Sequence, residues 1–339
     1  MLCEHINNVI LPRKHNMAAT MALYMSGDKE CLEEELVFGC GQGLDFRYIK
    51  NNPSTPSRVF SITRELDVRN IFNNSSSQSW SSNDKFPWDE IKTALRKGKP
   101  VLLGVNPSCL PYNKESLYLD EEYAIIAIDY KETYGVIKVA DTAYEETKEI
   151  LIEDLAYAMY NNPSDQRNRW LVVEDKGIEI DGSSIRNSLY KLAHHMLSEN
   201  NVYSGVSGIH MFAQDLGRWQ EEAKDWKWSA MYCYRVLDSA DDGTAYRSLF
   251  AKYLAKATRI VPELETIGAV DKAERIAELW KEVTCNFNAI TKSGDNSLIH
   301  QTSAMLKKIS GEEERLYSML LSSLKGGTDT EEKQLVNES

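Results

Sequence analysis

The sequence predicts an α+β fold in which a first half of strands and short helices is followed by an all-helical second half. Three observations support this reading. Short β-branched and aromatic runs bounded by turn residues recur up to about residue 176, apolar residues recur at helical period after it, and a turn-rich stretch, GIEIDGSS, separates the two regimes. At 339 residues the chain exceeds a usual single domain, so the expected division is 1–176, 177–325 and a polar tail over 326–339.

The elements follow in order. An apolar helix opens on Asn16, a polar loop and a second short helix come next, and the glycine-rich turn FGCGQG leads into a strand. Strands are expected over Leu44–Lys50, Arg58–Arg64, Pro100–Asn106, Glu122–Tyr130, Gly135–Thr142 and Arg169–Asp175. Between them, WDEIKTALRKG reads as a helix: acidic residues open it, Ile91, Ala94 and Leu95 share a face, and Lys97 with Gly98 close it. The Ser- and Asn-rich stretch Asn73–Asp84 reads as a surface loop. YAIIAIDY and GVIKVADT, joined by Lys131–Tyr134, read as a mostly buried antiparallel hairpin. In the second half the apolar period marks helices at Ile185–Met196, Ile209–Leu216, Tyr246–Val261 and Ile276–Phe287, and a last one over Leu298–Leu324 with a break expected near Gly311.

Composition narrows the partners. Lys plus Arg number 39 against 51 Asp plus Glu, a formal charge of −12, so phosphate backbones and anionic headgroups are repelled: no nucleic acid and no membrane surface is expected. A cationic ligand would be steered favourably. No run approaches the ~18 consecutive apolar residues of a spanning helix, and no secretory signal is visible, so a soluble cytoplasmic protein is expected. Six scattered cysteines (Cys3, Cys31, Cys40, Cys109, Cys233 and Cys285) form no C-x-x-C pair, and free thiols are expected. His194 and His195 are adjacent on a helix and cannot chelate together as an i, i+4 pair would; no metal site and no cofactor are expected.

Four segments carry a family resemblance. HNMAAT (His15–Thr20) leads to FGCGQGLDFRYI (Phe38–Ile49), LRKGKPVLLGVNPSCLPY covers Leu95–Tyr112, a strand begins at Tyr123 and the next ends at Asp141, and DDGTAYRSLFAKYLAKA covers Asp241–Ala257. Together they resemble the butirosin biosynthesis protein H family, which opens on G-x-H-C and a helix, continues through a glycine-aromatic turn, and carries a helical domain behind it. The resemblance implies a cysteine-peptidase-like (papain-like) first domain that takes an acyl group from a carrier-protein thioester and passes it to an amine in antibiotic assembly. It places a catalytic Cys, His and Asp at the positions of Asn16, Tyr123 and Asp141, Asn16 lying 22 residues before Phe38. It also makes Cys40, Gly41, Gly43, Tyr48, Asn106 and Tyr112 candidate substrate-binding residues, and an acyl carrier protein and a small amine the candidate partners.

Two of the three triad positions depart from the pattern. An amide is neither nucleophile nor base, and a phenol of ordinary pKa about 10 is a poor base at neutral pH. Each residue also has a structural reading: Asn16 as a helix N-cap, Tyr123 as a strand aromatic packed on its cross-strand neighbours, Asp141 as a turn cap, and the glycines as backbone conformers. Cys3, beside Glu4 and His5, is an alternative nucleophile, and Cys40 the next; a buried inert thiol is the structural reading of both. Two functions follow: an acyl-transfer enzyme working by positioning without a covalent Cys intermediate, or an inactive pseudoenzyme that binds a partner in such a pathway.

Overall fold

The computed structural model describes residues 14–26, 32–51, 56–71, 79–113, 123–162, 166–173, 180–198, 200–239 and 242–337, with side chains described through 324. In chain order, α1 (Asn16–Met25) and α2 (Glu34–Cys40) precede β1 (Leu44–Lys50) and β2 (Arg58–Thr63); α3 (Val68–Ile71), α4 (Trp88–Arg96) and β3 (Val101–Val105) follow. Then come β4 (Tyr123–Lys131), β5 (Val136–Ala140), β6 (Lys148–Leu151), α5 (Ile152–Tyr160) and β7 (Trp170–Leu171). Beyond β7 the elements among the described residues are all helices: α6 (Gly182–Met196), α7 (Gly205–Leu216), α8 (Trp219–Glu222), α9 (Trp226–Asp238), α10 (Arg247–Thr258), α11 (Glu263–Thr266), α12 (Ala269–Ser293) and α13 (Asn296–Asn337). The fold class is α+β with antiparallel sheets. No helix among the described residues is long and apolar enough to cross a membrane.

The chain forms two compact units: Met1–Val37 with Glu65–Glu179, and Phe38–Arg64 with Ile180–Ser339. The second cut lies close to residue 176, but the β1–β2 hairpin groups with the helices rather than with the rest of the first half. The reason is aromatic packing: Phe60 meets Phe212 edge-on at 5.0 Å between ring centroids, and Phe46 lies 5.8 Å from Trp280.

The first unit is built on a five-stranded antiparallel sheet in the order β6-β5-β4-β3-β7. Its central strands are apolar on both faces, as their β-branched runs require: β3 is buried throughout and Ala124–Ile128 of β4 are covered. α4 lays Ile91 on the core that contains Leu103, Val105, Ile125 and Val139. Its C-terminus is closed by the Lys97 amide donating to Ala94 O and by Gly98 in the left-handed region (φ +70°). The β4–β5 hairpin turns through a 3-10 segment, Glu132–Tyr134, and a left-handed Gly135 (φ +62°).

Two expectations change. The strand expected over Arg169–Asp175 contracts to Trp170–Leu171, its last two residues lying outside the described set, and an edge strand, Lys148–Leu151, appears where the charged KE pair hid the alternation. Residues 73–78 of the expected loop lie outside the described residues, while Ser81 bridges Trp170. α13 runs unbroken through Gly311, where an added Cβ would meet nothing within 4 Å.

In the second unit, Arg247 and Glu313 form a buried pair at 2.9 Å. Its remaining hydrogen-bonding capacity is filled by Trp280 Nε1, Tyr317 Oη and the carbonyls of Asp45 and Ala245. Such satisfaction is what makes a buried ion pair tolerable.

Candidate active site

Asn16 stands at the start of α1, but the residue that caps the helix is His15. Its backbone is extended and its Nδ1 accepts from the Ala18 amide at 3.2 Å, while Glu34 accepts the His15 amide. Burial lowers the His15 pKa to about 4, which keeps the ring neutral and able to accept. The N-cap reading of Asn16 is therefore corrected by one residue.

Freed from capping, the Asn16 side chain reaches across to the sheet. Its Oδ1 accepts from the Ala124 amide of β4 at 2.8 Å and its Nδ2 donates towards Thr142 Oγ1 at 3.5 Å. Thr20, one turn along the same helix face, lies 3.0 Å from Thr142 Oγ1 and donates to Ala124 O at 3.3 Å. Helix, strand and the turn after β5 are thus tied at one corner of the first unit.

Asp141 sits at that corner because β5 pairs antiparallel with β4, Ala140 opposite Ile126, so the residue after β5 falls beside the start of β4. Its carboxylate is fully buried and takes three donors: Tyr123 Oη at 2.8 Å, Tyr112 Oη at 3.1 Å and the Ala143 amide at 3.0 Å. Burial raises the Asp141 pKa, opposed by those hydrogen bonds and by the charge of Lys148. Burial, then the Asp141 charge, pushes Tyr112 and Tyr123 well above the ordinary phenol value, so both remain hydroxyls. Tyr144 meets Tyr112 edge-on, with centroids 5.3 Å apart, and donates its hydroxyl to Tyr112 O, while Lys148 Nζ lies 4.7 Å from the Tyr144 ring centre.

The structure therefore brings Asn16, Tyr112, Tyr123 and Asp141 together. Asn106 lies in the same unit, but its side chain caps the 3-10 turn Pro107–Cys109, accepting from the Ser108 amide and donating to Asn161 O.

Cys40, Gly41, Gly43 and Tyr48 belong to the second unit. The Cys40 thiol is buried 3.9 Å from Tyr253 Oη, and burial raises its pKa to about 11, so it is a thiol at neutral pH. Tyr48 donates its hydroxyl to Asp215. In the glycine-rich turn the left-handed residue is Gln42 (φ +56°), not a glycine, whereas Gly39 is required for space: a Cβ there would fall 2.1 Å from the Tyr253 ring. Cys3 lies outside the described residues.

Sequence reasoning missed Thr20, Thr142, Tyr144 and Lys148. Two of them had a readable signal, Thr20 sharing the helix face of Asn16 and Thr142 following Asp141. Chemically, the corner offers an amide, three phenols and a buried carboxylate, donors and acceptors in quantity, and among the described residues no thiol or imidazole bonds to Asp141. Among the described residues no group of three or more His, Cys, Asp or Glu is placed to hold a metal ion.

Residues 15–142 match the family model described as butirosin biosynthesis protein H, N-terminal, and residues 153–320 match one described as a domain of unknown function (DUF4872). No curated protein matches the chain. The first match begins at His15 and ends at Thr142, the two ends of the hydrogen-bonded corner. Residues 15–142 thus carry a domain of the butirosin biosynthesis protein H N-terminal family.

Proposed function

We propose that the chain serves in specialised-metabolite biosynthesis of the antibiotic type as a non-covalent binding member of an acyltransferase family, its first unit having the cysteine-peptidase-like (papain-like) fold. The pathway class rests on the family's name, and the acyl-transfer chemistry on the resemblance. One observation carries the non-covalent reading: Asn16, at the position of the family's nucleophile, spends its side-chain oxygen on the Ala124 amide. An acyl-enzyme requires an activated thiol or hydroxyl and a base to activate it. At the base position Tyr123 holds its proton against Asp141. An acyl carrier protein and a small amine are the proposed partners.

The test is incubation of the purified chain with an acylated carrier protein and candidate amines. Carrier binding by calorimetry, with no acylated amine and no mass added to the chain, is the expected outcome. Product formation, or an acyl thioester at any cysteine, refutes the reading.

A further inference from the structure

We propose that Arg169, stacked on Trp80 in the first unit, is a binding site for the carboxylate of a small organic acid, and that Glu65 occupies this site until such an acid displaces it. The site uses none of the side chains at positions 16, 123 and 141. Strand parity places the arginine. Leu103 pairs with Trp170, Trp170 packs on the core that holds Leu103, Val105 and Ile125, and the Gly104 amide donates to Arg169 O at 3.1 Å, so Arg169 points to the opposite face of the sheet. There its side chain lies along Gly104: an added Cβ would fall 2.5 Å from Arg169 Nε and 2.7 Å from its Cγ. Only glycine leaves that floor open. Gly104 in turn pairs with Ala124, so the arginine lies one strand away from the amide that Asn16 holds.

The second unit supplies the contrast. Arg247 and Glu313 are both buried, and Nε and Nη2 of the arginine meet the two carboxylate oxygens at 2.9 and 3.2 Å. A pair so enclosed serves the fold. Arg169 is fully buried too, yet the carboxylate that its Nη1 meets at 2.8 Å belongs to Glu65, whose side chain is 57% exposed. An ion pair that reaches water through one partner is screened and must hold a mobile side chain in place, so it contributes little and a second carboxylate can replace it. The surroundings of the guanidinium are, by comparison, fixed. Its carbon lies 4.5 Å from the centre of the Trp80 ring, Ser81 and Trp170 exchange two backbone hydrogen bonds of 2.9 Å, and Asn168 Nδ2 donates to Asn83 O at 3.1 Å. A planar cation held by an indole, with an exposed carboxylate on its edge, is preorganised for planar carboxylates; a cationic ligand would be repelled and a neutral one would not outcompete Glu65.

The test is an NMR titration of the full chain with sodium glutarate, compared with sodium chloride and sodium phosphate at the same pH and ionic strength. The reporters are the Gly104 amide, bonded to Arg169 O, and the Trp80 indole. Saturable shifts with glutarate alone are expected. Glu65→Gln removes the resident carboxylate and should tighten the apparent affinity at least ~3-fold, as removal of a competing occupied state requires. Glu153→Gln, which removes an exposed acid from α5, should leave the affinity unchanged. Arg169→Gln should abolish saturation; where that variant fails to fold by circular dichroism, the two glutamate variants decide. Shifts no different from those of sodium chloride, equal saturation by phosphate, or an affinity that Glu65→Gln leaves unchanged or weakens, overturn the proposal. So does an equal gain from Glu153→Gln, which would reduce the effect to net charge. A failed titration refutes only the carboxylate site, whereas an acyl adduct on the chain refutes only the non-covalent reading.

Discussion

Tyr123 donates its hydroxyl to Asp141 Oδ1 at 2.8 Å, joining the first residue of β4 to the residue that follows β5. The resemblance places a histidine and an aspartate at these positions. In this chain the partner of Asp141 is a phenol that keeps its proton at neutral pH.

Tyr123→Phe should destabilise the chain by about 1–2 kcal/mol, since the ring stays and one donor to a buried carboxylate goes. Urea unfolding at neutral pH measures this. A change within error would show that the bond contributes nothing to the corner.

Asn16→Ala should cost about 1–3 kcal/mol, because the Ala124 amide is left without its side-chain acceptor. Asn16→Asp keeps an acceptor at that point and should lose less. Equal losses in the two variants would mean that packing, not the hydrogen bond, is what Asn16 supplies.

The His15 ring gives a pH dependence. Its folded pKa of about 4 lies below the unfolded 6.5, so between these values the unfolded chain binds more protons and stability falls as pH falls. The full difference is about 3 kcal/mol, present above pH 6.5 and lost by pH 4. Asp141, raised by burial, contributes with the opposite sign: its buried charge costs stability above its folded pKa, and protonation relieves it. The comparison is therefore the unmodified chain against His15→Asn, which retains a capping acceptor. Urea midpoints of the two should converge as pH drops from 6.5 to 4; parallel curves would show that His15 is not neutral in the folded chain.

Gly39→Ala should abolish folding of the second unit or cost more than about 3 kcal/mol, as its Cβ would lie 2.1 Å from a Tyr253 ring that is fully buried. Near-ultraviolet circular dichroism and thermal unfolding report it. Native-like stability would mean that Tyr253 can move aside.

Much of the fold was legible because burial wrote it into residue type. Leu44–Lys50 is a strand with the bounds its composition implies, and the apolar run in Tyr123–Lys131 is the central strand of the larger sheet. The edge strand Lys148–Leu151 was not legible, since solvent-facing strands lose the apolar signature. The placement of β1–β2 with the helices depends on Phe46 and Phe60 meeting Phe212 and Trp280, contacts far apart in the chain. At the site, positions 16, 123 and 141 were readable as a set through the family pattern. That Asn16 does not cap α1 was not, because asparagine is the stronger capping residue by type and His15 takes the role by backbone position. The commitment of both phenol hydrogens to Asp141 was likewise invisible, because hydrogen-bond direction follows from three-dimensional neighbours.

We propose that positions 16 and 123 hold the places of the family's nucleophile and base without the chemistry of either. Intact-mass spectrometry of the double variant Asn16→Cys, Tyr123→His after incubation with an acyl-pantetheine thioester tests it most directly. One acyl group should appear at position 16 of the double variant and none on the unmodified chain. An adduct on the unmodified chain, or none on a folded double variant, would contradict the account.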